Sequence, residues 1–206
     1  MRFFRVAAGV LTLALAACVT SSGERATAFL KPEIARAYVA LDGHELLVVS
    51  AHGAGFAIAP GIAVTNAHNS GLVDAKLRIG ESRDYDLLFF RTEKAVSLVS
   101  AAPRVGELVI AYGQGADGEL REARGIVRNL EAPVEARCSS CAIQSAFTFE
   151  GNAGPGFSGG PVVDAQSGAL IGITFGYLDP RGHRLMYAYP MSRVREELAA
   201  VQRAPR

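Results

Sequence analysis

The sequence predicts an all-β domain closed by a single helix. Three observations carry that prediction. Short apolar runs recur along the chain, and turns rich in glycine, proline and aspartate cut them at intervals of roughly 8–12 residues. One stretch near the C-terminus switches to helical spacing. The chain has 206 residues, half of them hydrophobic and 22 of them glycine. That is enough for a sizeable core in one domain, or in two small half-domains sharing a cleft, and it excludes disorder as a whole.

The first residues read as an export signal. Arg2 and Arg5 make a basic start, and Val6 to Ala17 is apolar without a charge. The run is too short for a bilayer span, which needs roughly 20 residues, and has the length of a signal-peptide core. A core helix beginning at residue 1 is the competing reading. Leu15-Ala16-Ala17-Cys18 resembles a bacterial lipoprotein box, with Cys18 as the acylated residue. The division expected is residues 1–17 as signal peptide, 18–35 as lipidated cysteine and tether, and 36–206 as the folded domain. The acyl chains on Cys18 would hold the protein to the membrane. Val19 is not the aspartate linked to inner-membrane retention in such lipoproteins, so the expected address is the outer membrane, on the periplasmic side.

The polar stretch Val19 to Arg25 would be the tether, and Ala26 to Ala37 a short helix. Ala37 to Leu41 and Glu45 to Val49 flank Asp42-Gly43-His44, a hairpin signal. Gly55 to Ile58 and Ile62 to Thr65 flank Pro60-Gly61. Lys76 to Ile79, the solid apolar run Leu87 to Phe90, Ala95 to Val99 and Leu108 to Tyr112 follow as strands. Glu119 to Arg128, Ala142 to Phe149, Pro161 to Val163, Ala169 to Phe175 and Arg184 to Tyr189 complete the set. Ser192 to Val201 places Val194, Leu198 and Val201 on one helical face, with Ser192 as its expected N-cap.

Charge excludes some functions. Without Arg2 and Arg5 the chain has 19 basic and 20 acidic residues, a net charge of −1. No dense basic patch points to nucleic acid. His44, His52, His68 and His183 show no metal-ligand spacing, and no cofactor motif is present. With Cys18 assigned to lipidation, Cys138 and Cys141 remain. In an exported protein that pair reads as a small disulfide. A thiol–disulfide redox motif is the alternative, but such motifs sit at a helix start, and here a strand-like run follows.

The residues that carry chemistry begin with Gly154-Pro155-Gly156-Phe157-Ser158-Gly159-Gly160-Pro161. A nucleophilic serine needs an exposed hydroxyl and backbone N–H groups aimed at the developing oxyanion. Glycines allow the sharp turn that supplies both. Alone, such an octapeptide is an ordinary turn as readily as a catalytic loop. Upstream, Gly55-Phe56-Ala57-Ile58 and Ile62-Ala63-Val64-Thr65-Asn66-Ala67-His68 deliver a histidine at the end of a strand. Between them, Asp86 opens the apolar run Leu87 to Phe90. A carboxylate there can accept the histidine Nδ1–H and stabilise the imidazolium. Asp84 and Asp74 are the competing carboxylates.

These three segments, in the order His68, Asp86, Ser158, resemble the trypsin-like serine peptidase family in its HtrA-like bacterial branch. Gly168 to Ile173 resembles the family's cleft-lining strand. Ala188-Tyr189-Pro190 before a helix resembles its end, so no PDZ domain is expected. The resemblance implies two six-stranded antiparallel β-barrels with the triad in the crevice and a short C-terminal helix. It implies an oxyanion hole from the N–H groups of Gly156 and Ser158. It places Asn152 near the base of the primary specificity pocket, with Thr174, Phe175 and Gly176 on its wall. An uncharged base argues against strict preference for Arg or Lys. Protein or peptide substrates are the implied partners, with no cofactor; the oligomeric state is left open.

Three departures from the family pattern stand out. His68 and Asp86 are only 18 positions apart. Asn69-Ser70-Gly71 replaces the usual Cys or Val-Val after the histidine. Phe157 replaces the aspartate that receives the new N-terminal ammonium when a zymogen is cut, so no activation by N-terminal insertion is expected. These departures keep open a second reading: a peptide-binding lipoprotein with the protease fold but no turnover.

Overall fold

The computed structural model describes residues 22–43, 51–96, 98–115, 117–134, 144–179 and 184–204. The expected signal peptide, Cys18, the strand Glu45–Val49 and the Cys138–Cys141 pair lie outside the described residues.

A two-residue strand β1 (Glu24–Arg25) leads into a short helix α1 (Pro32–Ala37), which starts on proline. That residue suits a first helical position because its missing N–H has no intrahelical acceptor there. The first sheet contains β2 (Tyr38–Asp42), β3 (His52–Ala59), β4 (Ile62–Thr65), β5 (Arg78–Glu81) and β6 (Leu88–Arg91), in the spatial order β2-β3-β4-β6-β5. A 3-10 helix, Ala67–Leu72, follows β4. The second half contains β7 (Leu108–Gln114), β8 (Leu120–Val134), β9 (Gln144–Glu150), β10 (Pro161–Asp164), β11 (Leu170–Leu178) and β12 (Leu185–Pro190). These six pair in the order β8-β7-β10-β11-β12-β9, and β9 returns to β8 to close a barrel. The expected all-β fold with a C-terminal helix is therefore present, with one closed six-stranded barrel and one further sheet of five strands among the described residues.

The strands alternate because successive side chains point to opposite faces. In β7, Val109 and Ala111 join Val162, Ile171, Phe147, Phe149 and Met186 in a cluster fed by every barrel strand, which is the barrel interior. Ile110 and Tyr112 point the other way and meet Phe56, Val64, Leu87 and Phe89 of the first sheet. That second cluster is the seam between the halves. β6 shows why Leu87 to Phe90 is an unbroken apolar run: Leu87 and Phe89 face the seam, while Leu88 and Phe90 face Leu41, Ala63 and Val73 behind the sheet. Each such side chain contributes about 1.5–3 kcal/mol on burial.

Two sequence expectations are corrected. The described residues of Ala95 to Val99 form no strand; Val99 is 76% exposed, and the segment's ladder contact with the barrel is a bridge from Ser100 to Leu170. It is the connection from the first sheet to the barrel, and it packs Val96 and Leu98 half-buried against the seam without forming a ladder. The closing helix α2 (Met191–Arg203) begins one residue before the expected Ser192 and has Pro190 at its N-cap, without a side-chain cap bond. Proline's fixed φ ends β12 and sets the helix entry there. Val194 and Leu198 bury against the seam as expected.

Candidate active site

Strand register brings His68 to Asp86. β4 and β6 are antiparallel, and Thr65 pairs with Leu88. Continuing three residues beyond Thr65 and two back from Leu88 places the two side chains together. His68 Nδ1 lies 2.5 Å from Asp86 Oδ2, and the His68 backbone N–H donates to Asp86 Oδ1 at 3.0 Å. Asn66 Nδ2 donates to the Asp86 carbonyl at 2.9 Å, which holds that backbone from the other side. The imidazole is 48% exposed and the carboxylate 18%, so the ring faces the cleft while its partner sits at the edge of the core. Asp84 is exposed and Asp74 turns back to bond the Lys76 N–H, so neither competes for His68. The short His68–Asp86 interval is accommodated because the 3-10 helix and β5 alone span it.

Ser158 sits in a loop without strand structure. Gly156 has φ +88° and Gly159 φ +82°. A side chain at Gly156 would collide with the Gln114 carbonyl, and one at Gly159 with the Ala54 carbonyl, so both positions require glycine. The loop is tied down from several elements. Gln114 N–H donates to Gly156 O at 2.9 Å, Phe157 N–H to Gly154 O at 3.1 Å, and Ala54 N–H to Ser158 O at 2.9 Å. Thr174 Oγ1 lies 2.7 Å from Phe157 O and 2.9 Å from Gly160 O. Arg184 Nη1 donates to Ala153 O at 2.8 Å. Among the described residues, the N–H groups of Gly156 and Ser158 have no acceptor, and the Ser158 hydroxyl has no hydrogen-bond partner.

Asn69, one of the departures after the histidine, faces inward. Its Nδ2 donates to Ser158 O at 3.0 Å and to Thr65 Oγ1 at 3.1 Å, and that hydroxyl donates to Ala54 O at 2.7 Å. Both amide protons are used, and the histidine turn is stitched to the serine carbonyl. Gly53 makes room: a Cβ there would lie 2.8 Å from Asn69 Nδ2.

A cavity of about 270 Å³ opens between these parts, lined by His68, Ser158, Thr174, Phe175 and Gly176, with Met186 and Tyr177 also on its wall. The expected Thr174, Phe175 and Gly176 are thus beside Ser158. Asn152 is not; it is exposed, outside the lining, and its carbonyl instead accepts the Gly23 N–H. Met186 was missed because it is one apolar residue in a strand-like run, with nothing to mark the face it shows. Apart from His68, the lining residues carry no charge. Among the described residues there is no cluster of metal-ligating side chains.

Residues 71–173, half of the chain, match the family model for a trypsin-like peptidase domain. The match includes Asp86 and Ser158 and begins just after His68. No match was found among curated protein sequences. Solved structures share the fold. The Rv3671c protease from M. tuberculosis, in its active form, superposes with a TM-score of 0.69 at 17% identity, over 100% of this chain and 95% of that one. The HtrA-type protease AlgW with a tripeptide gives 0.66 at 20% identity, over 82% of this chain but 61% of its own length. The MamO protease domain from Magnetospirillum magneticum gives 0.57 at 16% identity, over 80% and 97%. The chain belongs to the trypsin-like peptidase domain family.

Proposed function

We propose that the protein is a serine endopeptidase that cleaves peptide bonds through His68, Asp86 and Ser158. One observation carries this reading: His68 is bonded to Asp86 and shares a cavity with Ser158, beside two backbone N–H groups without acceptors. Ser158 Oγ attacks the scissile carbonyl carbon, and His68 Nε2 takes its proton. Asp86 holds the Nδ1–H and stabilises the imidazolium. The N–H groups of Gly156 and Ser158 receive the oxyanion. His68 then gives the proton to the leaving amine, and water, activated by the same base, releases the acyl group from Ser158. The open Ser158 hydroxyl suits a site whose bond to the base tightens when substrate binds. The uncharged cavity favours an apolar side chain on the residue before the scissile bond.

The test is labelling with a fluorophosphonate serine probe. Wild type should label, and Ser158→Ala and His68→Ala should not. Absence of labelling at every pH tried would end this reading in favour of a peptide-binding protein without turnover, for which the unpartnered Ser158 hydroxyl is the supporting observation. A quenched-peptide library on the same samples reports the cavity's preference.

The setting belongs to the same proposal. Cys18 is acylated and holds the enzyme to the outer membrane on its periplasmic side, where it acts on exported or misfolded protein, and Cys138 and Cys141 form a disulfide. Cys18→Ser should move the protein from the membrane to the soluble fraction. Cys138→Ser with Cys141→Ser should lower stability more than turnover; loss of turnover in a folded double variant would favour the redox alternative.

A further inference from the structure

The wall behind the serine loop is made by a segment distant in sequence. β9 follows β8 as far as the pair Glu150–Ile126, and the chain then leaves to form the loop. The stretch of β8 left open is taken by β1, with Glu24 opposite Glu122 and Arg25 opposite Arg121. Ala26 N–H continues the pairing to Leu120 O at 3.0 Å. Just before β1 the chain crosses the back of the loop. Gly23 N–H donates to Asn152 O at 2.5 Å. Ser22 is 7% exposed, and its hydroxyl occupies the space that a side chain on Gly154 would need.

Phe157 is the part of the loop that this segment grips. Its ring is 1% exposed and belongs to the barrel-interior cluster. Gly23 has φ +68°, and a Cβ there would come within 2.6 Å of Phe157 Cζ and 2.8 Å of the Glu122 carbonyl. On the opposite side, a Cβ at Gly113 of β7 would come within 2.6 Å of Phe157 Cγ. The ring is therefore held between two glycines, one from the barrel and one from the leading segment. Phe157 stands between Gly156 and Ser158, so the seat of its ring sets the peptide unit that carries the Ser158 N–H and the one that carries the Gly156 carbonyl bonded by Gln114 N–H.

We propose that Ser22–Ala26 is a positioning strap for the oxyanion loop, acting through Phe157 and Asn152. The inference rests on the peptidase reading and adds regulation to it: cutting or displacing the strap lowers activity, and no cut in this segment raises it. An uncut glycine segment packed on an apolar ring does the work that a buried ammonium on a carboxylate would do.

The test uses the full chain with Gly23→Val, Gly23→Ala, Phe157→Leu and the Gly23→Ala/Phe157→Leu pair. Gly106→Ala is the control, since Gly106 has φ +83° and open space around it, so it reports backbone strain alone. Gly23→Val should slow fluorophosphonate labelling and lower kcat at least about tenfold, within the ~10²–10³ carried by one oxyanion donor. KM should change less than kcat because, of the cavity lining, Gly23 meets only Phe157, while Thr174, Phe175 and Gly176 stay in place. Amide exchange in residues 151–158 should speed up while that of β10 and β11 does not. In the Phe157→Leu background the Gly23→Ala penalty should shrink, since the ring atoms that the new methyl meets are gone. If Gly23→Val does not fold, this cycle decides. Labelling and kcat of Gly23→Val within twofold of wild type, or an unchanged Gly23→Ala penalty in the Phe157→Leu background, would overturn the inference alone. A wild type that neither labels nor turns over peptides removes the peptidase reading and the inference with it.

Discussion

The two sides of the cleft are built differently. On the first-sheet side, His68 and Asp86 lie a few residues beyond a regular ladder pair, Thr65–Leu88, and the register alone brings them together. On the barrel side, Ser158 belongs to no strand. Its loop takes its shape from bonds to Ala54, Asn69, Gln114 and Thr174, and from the close approach of Gly23. His68 is thus set by local geometry and Ser158 by distant contacts. Disturbing the first side should remove one chemical role cleanly. Disturbing the second should degrade catalysis through positions that hold the loop and take no part in the chemical step.

The largest effect expected is on the first side. Asp86→Asn keeps the shape but can no longer hold the Nδ1–H tautomer or stabilise the imidazolium. Turnover of a quenched peptide should fall on the order of 10⁴-fold, with the fold retained by circular dichroism. Asp84→Asn should stay within about twofold of wild type, because Asp84 is exposed and the carboxylate bonded to His68 is Asp86. Equal losses from the two variants would mean that the carboxylate assignment is wrong.

A smaller effect is expected where the barrel side is held. Thr174→Val conserves volume but removes the hydroxyl shared by the Phe157 and Gly160 carbonyls. The buried carbonyls each keep one other donor, Gly160 N–H for Phe157 and Thr174 N–H for Gly160. The stability cost should therefore be about 1 kcal/mol. Turnover should fall about tenfold through the loosened loop, since misplacing a reacting group by a fraction of an ångström is costly. Asn69→Ala should behave similarly through the Ser158 carbonyl. Chemical denaturation and kcat, measured on the same samples, separate the two consequences.

This contrast also explains what could be read from the sequence. The pairing of His68 with Asp86 was legible because alternation and the apolar run Leu87 to Phe90 mark the strands that carry them. The barrel strands and α2 were legible for the same reason, as buried faces leave a period. Ala95 to Val99 misled because a short apolar run shows no period that distinguishes a strand from a connector. The surroundings of Ser158 were not legible. Asn69 looked like a defect in a motif, yet its amide ties the two sides together. Asn152 looked like a pocket residue, yet its backbone meets a segment 129 positions upstream at Gly23. Contacts that join such distant residues leave no local pattern.

Gly176 sharpens the comparison by changing the cavity without touching either catalytic side. A Cβ at Gly176 meets nothing within 4 Å, and its backbone is not in the left-handed region, so a larger side chain there would extend into open space. Gly176→Val should narrow the entrance. Hydrolysis of peptides with a large apolar side chain before the scissile bond should fall about tenfold, the scale of hydrophobic pocket discrimination. Peptides with alanine there should be cleaved as before, and the melting temperature should hardly move. A uniform loss across all peptides would place the entry of the substrate side chain elsewhere.

The smallest effect is expected at a polar site of the barrel that lies away from the cleft. Asp164 closes the turn between β10 and β11, where its Oδ1 accepts from both the Ser167 N–H and the Ser167 hydroxyl at 2.5 Å. Burial alone would raise its carboxyl above the ordinary range, but hydrogen bonds from Ser167, Glu107 and the Gln166 backbone together outweigh it and hold it below. A depressed carboxyl stabilises the fold fully above the unfolded value of about 3.9 and loses that contribution as pH falls through the lower folded value. Asp164→Asn should cost about 1 kcal/mol at neutral pH. The gap from wild type in urea denaturation should close progressively as pH falls below about 4. Turnover should be unchanged, because Asp164 bonds to no part of the serine loop. A loss of turnover here would mean that the whole barrel, and not the loop with its strap, sets the nucleophile. It would also remove the distinction between distant contacts that matter to Ser158 and those that only hold the barrel closed.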